Sequence, residues 1–235
     1  LNLSLKNNIN INWIKKFINR LYKLQKKYNF FLLGGDISKS KETNISATFF
    51  GKCKSNKILS QNNCKLGDNL WITGNLGNSY IGYKLLTNSK IKIDKKLKNK
   101  FINCYRYPSF SLFGYYASKY INAAIDISDG FYGDLKKILN NKKGAKICLN
   151  SIPINKNLNF LLKLNSQIKL NNILNWGDDY QLIFTSNKKN TNKLINLSKK
   201  HNIKISKIGK IIRKTGIYDD SLIAIENVNS YDHFS

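Results

Sequence analysis

The stretch Ala123-Ala124-Ile125-Asp126-Ile127-Ser128-Asp129-Gly130-Phe131-Tyr132-Gly133-Asp134-Leu135 reads as a strand that turns abruptly into a helix. Residues 123–127 are a small apolar run of strand length. Ser128-Asp129-Gly130 ends it, and Phe131, Leu135, Ile138 and Leu139 then recur along one helix face. The same alternation runs outward in both directions. Upstream, residues 69–73 read as a strand, Gly74-Asn75-Leu76-Gly77 as a turn, and the chain through Leu86 as a helix. Residues 1–5 alternate as a strand, and Trp13, Phe17, Leu21, Leu24 and Tyr28 mark an amphipathic helix with Asn12 as its expected N-cap. Residues 30–33 are a short apolar run stopped by Gly34-Gly35-Asp36, and residues 45–50 read as a further strand. The Lys- and Asn-rich residues 89–100 are expected to be a solvated surface segment, and residues 110–121 a helix. Downstream, 146–149, 180–185, 204–212 and 222–226 read as strands and 191–201 as a helix. Mixed strands and helices with short connections predict an α+β or mixed α/β fold. Gly, Lys, Ser and Asn cluster over residues 51–56, where a domain boundary is expected.

Of the 235 residues, 42% are hydrophobic and 12% aromatic, enough for a packed core and against a disordered chain. Lys and Arg number 40 against 13 Asp and Glu, a net charge of +27. Such a charge raises nucleic acid or an anionic membrane as partners. Against that, Lys, Asn and Ile crowd every part of the chain and Arg is scarce, whereas base-reading surfaces lean on Arg. A coding bias accounts for the charge, which would still attract a phosphorylated substrate. Cys53, Cys64, Cys104 and Cys148 form no C-x-x-C pair and lie apart from His201 and His233. Neither a zinc site nor a disulfide framework is indicated, and reduced thiols in a cytoplasmic protein are the expectation. No apolar run reaches the roughly 18 residues of a membrane span, and no signal-peptide pattern is present. The first residue is Leu1 and the chain has no Met, so the start is expected upstream or the first residue removed.

With acids so few, their placement is informative. Asp36 follows two glycines, Asp126 and Asp129 flank Ser128 at a strand-to-helix junction, and Asp178-Asp179 precede an apolar strand. Strand ends are where sites form in α/β proteins. Mg²⁺ takes oxygen ligands and keeps several waters, so one or two carboxylates per ion suffice. The glycines admit phosphate oxygens close to the backbone, and the helix start after Asp129 presents free N–H groups to an anion. Each motif alone is ordinarily a cap or a turn. There is no P-loop and no protein-kinase signature. The residues by themselves therefore indicate a metal–phosphate enzyme and go no further.

At these same motifs the chain resembles the thiamine-monophosphate kinase family. Leu33-Gly34-Gly35-Asp36 resembles its Gly-Gly-Asp loop, and Leu66-Gly67-Asp68 with Ile72-Thr73-Gly74-Asn75-Leu76-Gly77 its P-G-D and V-T-G-T-L-G segments. Asp126-Ile127-Ser128-Asp129-Gly130 resembles its D-x-S-D-G loop, Gly177-Asp178-Asp179-Tyr180-Gln181-Leu182 its G-E-D-Y-E-L, and Tyr231-Asp232-His233-Phe234 its terminal Y-D-H-F. The motifs occur in family order along the whole chain. The resemblance implies the two-domain fold shared with aminoimidazole-ribonucleotide synthetase, with residues 1–52 a remnant of the N-terminal ATP- and metal-binding domain and 53–235 the C-terminal domain. It implies ATP-dependent phosphorylation of thiamine monophosphate to thiamine diphosphate by in-line transfer, with Mg²⁺. By the same resemblance Gly35, Asp36 and Ser128 lie against ATP, Asp36, Asp126 and Asp129 hold the metal, and Asp178 and Tyr231 contact the thiamine substrate. No side-chain nucleophile is required, and a homodimer through the first domain is implied where that domain is complete.

The chain also departs from the pattern. The family's Thr-Thr-Arg after Asp36 is Ile37-Ser38-Lys39, Gln61 stands where an Arg is usual, and Asp178 is one methylene shorter than the family's Glu. Its next Glu is Gln181, and a Pro-x-Pro-Arg stretch is reduced to Arg106-Tyr107-Pro108-Ser109. Lys does not replace Arg at a bidentate phosphate contact. The opening portion of the family pattern, which carries further acidic ligands, has no counterpart here, so the resemblance is to an N-terminally truncated member with impaired activity of its own. Two alternatives stand beside it: a decayed, inactive relative, and a basic nucleic-acid-binding protein, which would show a steep salt dependence.

Overall fold

The structure is a computed structural model that describes residues 1–53, 58–87, 91, 93–164, 168–226 and 228. The chain divides into two compact units, Leu1–Cys53 and Lys54–Ser235.

The first unit is a strand–helix–strand crossover with one added strand. β1 (Asn2–Lys6) alternates so that Leu3 and Leu5 are buried. It leads into α1 (Ile11–Tyr28), then β2 (Asp36–Ser40), which pairs parallel to β1, and β3 (Asn44–Ser46), antiparallel to β1 on its other edge. The cap of α1 is Asn10 rather than Asn12. Asn10 holds extended backbone angles, and its side chain accepts the Asn12 N–H at 2.8 Å, so the helix starts two residues earlier than the apolar stripe indicates. At the far end Asn29 is left-handed (φ 52°), with Lys26 and Lys27 in the last turn facing the negative helix end. Residues 30–33 are irregular, and Phe31 and Leu33 are exposed. Asp36 therefore opens a strand instead of closing one.

The second unit is built on a six-stranded sheet in the order β5-β7-β4-β8-β6-β9, from β4 (Asn69–Thr73), β5 (Ala123–Asp126), β6 (Gly144–Ile147), β7 (Leu182–Ser186), β8 (Ile205–Ile212) and β9 (Gly216–Tyr218). All neighbours are antiparallel except β6 and β9. Its strands alternate between two apolar faces because both are covered. Leu70, Ile72, Ala123 and Ile183 meet α5 (Phe131–Leu139) through Phe131, Leu135 and Ile138. Trp71, Ala124 and Phe184 face the other way, against Phe113 and Ala117 of α4 (Phe113–Ala117) and Leu194 of α8 (Thr191–Lys200). Trp71 stacks on Phe184 at 6.1 Å and donates its indole N–H to Ser186 at 3.0 Å. A third cluster is helical. α2 (Asn78–Thr87) lies against α3 (Lys95–Arg106), and Ile81, Leu85 and Phe101 pack with Leu158 and Leu161 of α6 (Lys156–Leu164) and Ile173 of α7 (Leu170–Leu174).

Several expectations are corrected here. Residues 94–96 and 98–100 of the expected surface segment are exposed, as read, but residues 95–100 are helical, in α3, capped by Asp94, whose side chain accepts the Leu97 N–H at 3.0 Å. Its Lys-rich outer face hid a helix whose buried anchor is Phe101. The expected helix 110–121 contracts to α4 and a short 3₁₀ turn. The strand expected at 222–226 is one bridge between Tyr218 and Ala224. Helices α6 and α7 and strand β9 carried no sequence signal strong enough to be read. Residues 88–90 and 92, within the expected surface segment, lie outside the described residues. No helix among the described residues is long and apolar enough to cross a membrane.

Candidate active site

Three loops of the second unit converge at one end of the β5-β7-β4 part of the sheet. The first is 126–130, leaving β5; the second is 177–181, entering β7; the third is 74–77, joining β4 to α2. Antiparallel pairing of β5 with β7, and of β7 with β4, brings them together. The first two loops are joined by their backbones. The Asp178 N–H donates to Ser128 O at 3.0 Å and the Tyr180 N–H to Ile127 O at 2.9 Å. Gly177 permits this approach, because a Cβ there would strike the Ser128 carbonyl.

Two buried carboxylates hold the loops. Asp134, on the first turn of α5, is fully buried, and its Oδ2 accepts the backbone N–H groups of Ser128 (3.0 Å) and Asp129 (3.1 Å). Its Oδ1 meets Lys137 Nζ at 2.7 Å, and the same ammonium lies 2.6 Å from Asp129. Burial pushes the Asp134 carboxyl above its ordinary range, outweighing the hydrogen bonds and charge of Lys137 that pull it down. Burial works to lower the Lys137 ammonium, but its bonds to Asp129 and Asp134 prevail and raise it. Asp179 caps the N-terminus of α2. Its Oδ2 accepts the Gly77 N–H at 2.8 Å, and its Oδ1 accepts the Ser79 N–H at 3.4 Å and meets Ser79 Oγ at 2.9 Å. Ser79 Oγ is also 3.0 Å from Gly177 O. Burial lifts the Asp179 carboxyl to about 6. Sequence reasoning did not single out Asp134, and it marked Asp179 only as half of an acidic pair at a strand end, with no role of its own. The signal for Asp134 was present, since an acid in a helix's first turn reaches back to the preceding N–H groups. Asp179 caps a helix a hundred positions away, and nothing local announces that.

The front rank of acids is more open. Asp126 is exposed at the end of β5, and Asp129 is partly exposed beside Lys137. Asp178 has a left-handed backbone (φ 63°), as has Tyr180 (φ 48°). Burial raises the Asp178 carboxyl, its hydrogen bond with Tyr180 opposes that, and the charge of Asp129 adds to the rise. Tyr180 is raised by burial first and then by the charges of Asp178, Asp126 and Asp129. Beside Asp178 opens a cleft of about 570 Å³, lined by Asn78, Ser79, Lys96, Lys100 and Tyr107 among others. Of the expected site residues, Asp126, Ser128, Asp129 and Asp178 thus gather on one loop pair. Gly35 and Asp36 lie in the first unit, where the Asp36 N–H donates to Leu1 O at 3.1 Å and a Cβ on Gly35 would meet that same carbonyl. Asp36 is exposed. Tyr231 lies outside the described residues.

Among the described residues no group of three or more His, Cys, Asp or Glu could hold a metal ion by itself. A dedicated cage is therefore not what this loop pair offers. Mg²⁺ needs less: one or two carboxylates and the oxygens of a bound phosphate. Asp126, exposed at the end of β5, fits that requirement, whereas Asp129 already pairs with Lys137 at 2.6 Å and would have to give up that partner.

Chains of this architecture are known. AaThiL in complex with AMPPCP and TMP superposes with a TM-score of 0.77 at 21% identity, covering 99% of this chain and 72% of that one. Thiamine-monophosphate kinase from Stenotrophomonas maltophilia gives 0.74 at 22% identity, over 93% and 70%. Escherichia coli HypE gives 0.68 at 13% identity, over 98% and 71%. The class is the aminoimidazole-ribonucleotide synthetase-like fold. No family model matches the chain. Curated sequences narrow the class. Thiamine-monophosphate kinase of Buchnera aphidicola from Acyrthosiphon pisum is 36% identical over 227 residues, 94% of this chain and 69% of its own length. That of Buchnera aphidicola from Schizaphis graminum is 41% identical over 201 residues, 85% and 61%. The chain belongs to the thiamine-monophosphate kinase family, a family of kinases.

Proposed function

We propose that the chain phosphorylates thiamine monophosphate with ATP, giving thiamine diphosphate by direct in-line transfer of the γ-phosphoryl group. The observation that carries this reading is the backbone-paired loops 126–130 and 177–181 beside a lysine-bearing cleft. The thiamine ring is cationic and its tail anionic. Asp178 on the cleft suits the first, and Lys96 and Lys100 suit the second. On this reading Gly35, Asp36 and Ser128 lie against ATP, and Asp36, Asp126 and Asp129 hold Mg²⁺, which when bound neutralises charge on the phosphates. Ser128 and Asp129 keep their backbone orientation through Asp134, so the phosphate-facing loop is set before substrate arrives. Tyr231 stacks on the thiamine ring. No side chain acts as nucleophile, because the acceptor is itself a phosphate oxygen and catalysis rests on positioning and charge neutralisation. A homodimer, a cytoplasmic location and an ATP- and metal-binding role for residues 1–52 belong to the same proposal.

The test is thiamine diphosphate formation, followed by chromatography, with ATP and Mg²⁺ and with excess chelator. It is run on this chain and on the polypeptide read from the next upstream start codon. Mg²⁺-dependent product from this chain supports the reading, and product from the longer polypeptide alone assigns the activity to the longer protein. No product from either, together with no binding of thiamine monophosphate, refutes it and favours a decayed relative.

A further inference from the structure

We infer that Asp179 is a positioning residue, which holds Asp178 toward the cleft by tying loop 177–181 to the N-terminus of α2. The inference rests on the reading of Asp178 as the substrate-facing carboxylate.

Three observations carry it. First, Asp178 and Tyr180 both sit in the left-handed region. For residues with a Cβ this costs about 1–2 kcal/mol each, and such conformations persist only where the surroundings over-determine them. Second, the residue between them is the most firmly held in the loop: its side chain is buried and engages Gly77 and Ser79. Third, α2 is itself immobilised, with Tyr80, Ile81 and Leu85 buried in the helical cluster. The anchor is therefore rigid on both sides. Both residues border the cleft, but the Asp179 carboxylate is taken up by the N-terminus of α2. Gly74 closes the arrangement, since a Cβ there would strike the Gln181 side chain, whose Oε1 accepts the Thr73 hydroxyl at 3.0 Å. Asp179 touches neither substrate nor phosphate on this account and acts only through Asp178.

The experiment uses the full chain and three variants, Asp179→Asn, Asp178→Ala and the double variant, with Ser79→Ala as a milder perturbation of the same anchor. Two quantities are measured: amide hydrogen exchange across the chain, and thiamine monophosphate affinity by calorimetry. Asp179→Asn puts an amide donor where a carboxylate accepted two backbone N–H groups. Exchange at Asp178 and Tyr180 should rise about tenfold or more, with strands β4 and β7 unchanged, and Ser79→Ala should give a smaller rise at the same amides. Affinity should fall about tenfold in Asp179→Asn, and the double variant should bind no worse than Asp178→Ala alone. Unchanged exchange in the loop, or losses that multiply in the double variant, would overturn the inference. If the parent chain binds no thiamine monophosphate, the proposed function fails, and the exchange pattern alone decides whether Asp179 holds the loop.

Discussion

Alanine at Gly177 would drive a methyl group into the backbone of the neighbouring loop. An ideal Cβ there overlaps the Ser128 carbonyl oxygen, lies 2.6 Å from its carbonyl carbon and 3.1 Å from Asp129 Cα. Backbone cannot rotate aside as a side chain can, so the two loops must part. Parting breaks Asp178 N–H to Ser128 O and Tyr180 N–H to Ile127 O. Each bond contributes about 1 kcal/mol, and each half-buried group left without a partner costs about 1 kcal/mol more, so the loss is about 3 kcal/mol or greater. Gly67→Ala is the matched control. Gly67 is left-handed (φ 80°) with nothing within 4 Å of its Cβ position, so only backbone strain is added, about 1 kcal/mol. Urea unfolding followed by tryptophan fluorescence measures both, and Trp176 beside the altered position reports on it directly. If Gly177→Ala costs no more than Gly67→Ala, the close pairing of the two loops is not a source of stability and the argument from it fails.

Asp179 gives a pH signature. Its carboxyl is raised from 3.8 to about 6, so the folded chain binds that proton more tightly than the unfolded one. The resulting stability is present at low pH and is lost as pH rises through about 4 to 6. Between pH 4 and 7 the parent should lose up to about 3 kcal/mol relative to Asp179→Asn, which does not ionise; parallel pH curves for the two would contradict the burial. Lys137→Ala strips the cation from buried Asp134. Because Lys137 is itself nearly half exposed, its removal should cost about 1–2 kcal/mol rather than the full value of a buried pair. An unchanged unfolding midpoint would mean that the Ser128 and Asp129 N–H groups satisfy Asp134 alone.

The parts of this molecule legible in its sequence are those with a buried stripe. Strand Asn69–Thr73 was read at its observed bounds, and helix Thr191–Lys200 and strand Ile205–Ile212 to within a residue, because each carries apolar residues at the period of its own structure. Helix Lys95–Arg106 buries one side chain, Phe101, so lysine and asparagine set the pattern there. The site divides in the same way. Asp126, Ser128, Asp129 and Asp178 are marked by punctuation at strand ends, whereas Asp179 acts through distant partners that no local window contains. Asp178 and Asp179 are adjacent and chemically identical in the sequence, and only the fold tells the half-buried one from the buried one.

The left-handed pair around Asp179 also bears on what laboratory selection would find. A screen for heat-resistant variants rewards whatever relaxes strain. Glycine or asparagine at 178 and 180 relaxes that strain at this loop. Such variants would be recovered as hardier proteins whose cleft had lost its acid or its orientation. Resistance to heat and competence at the cleft would then rank variants at these two positions in opposite order.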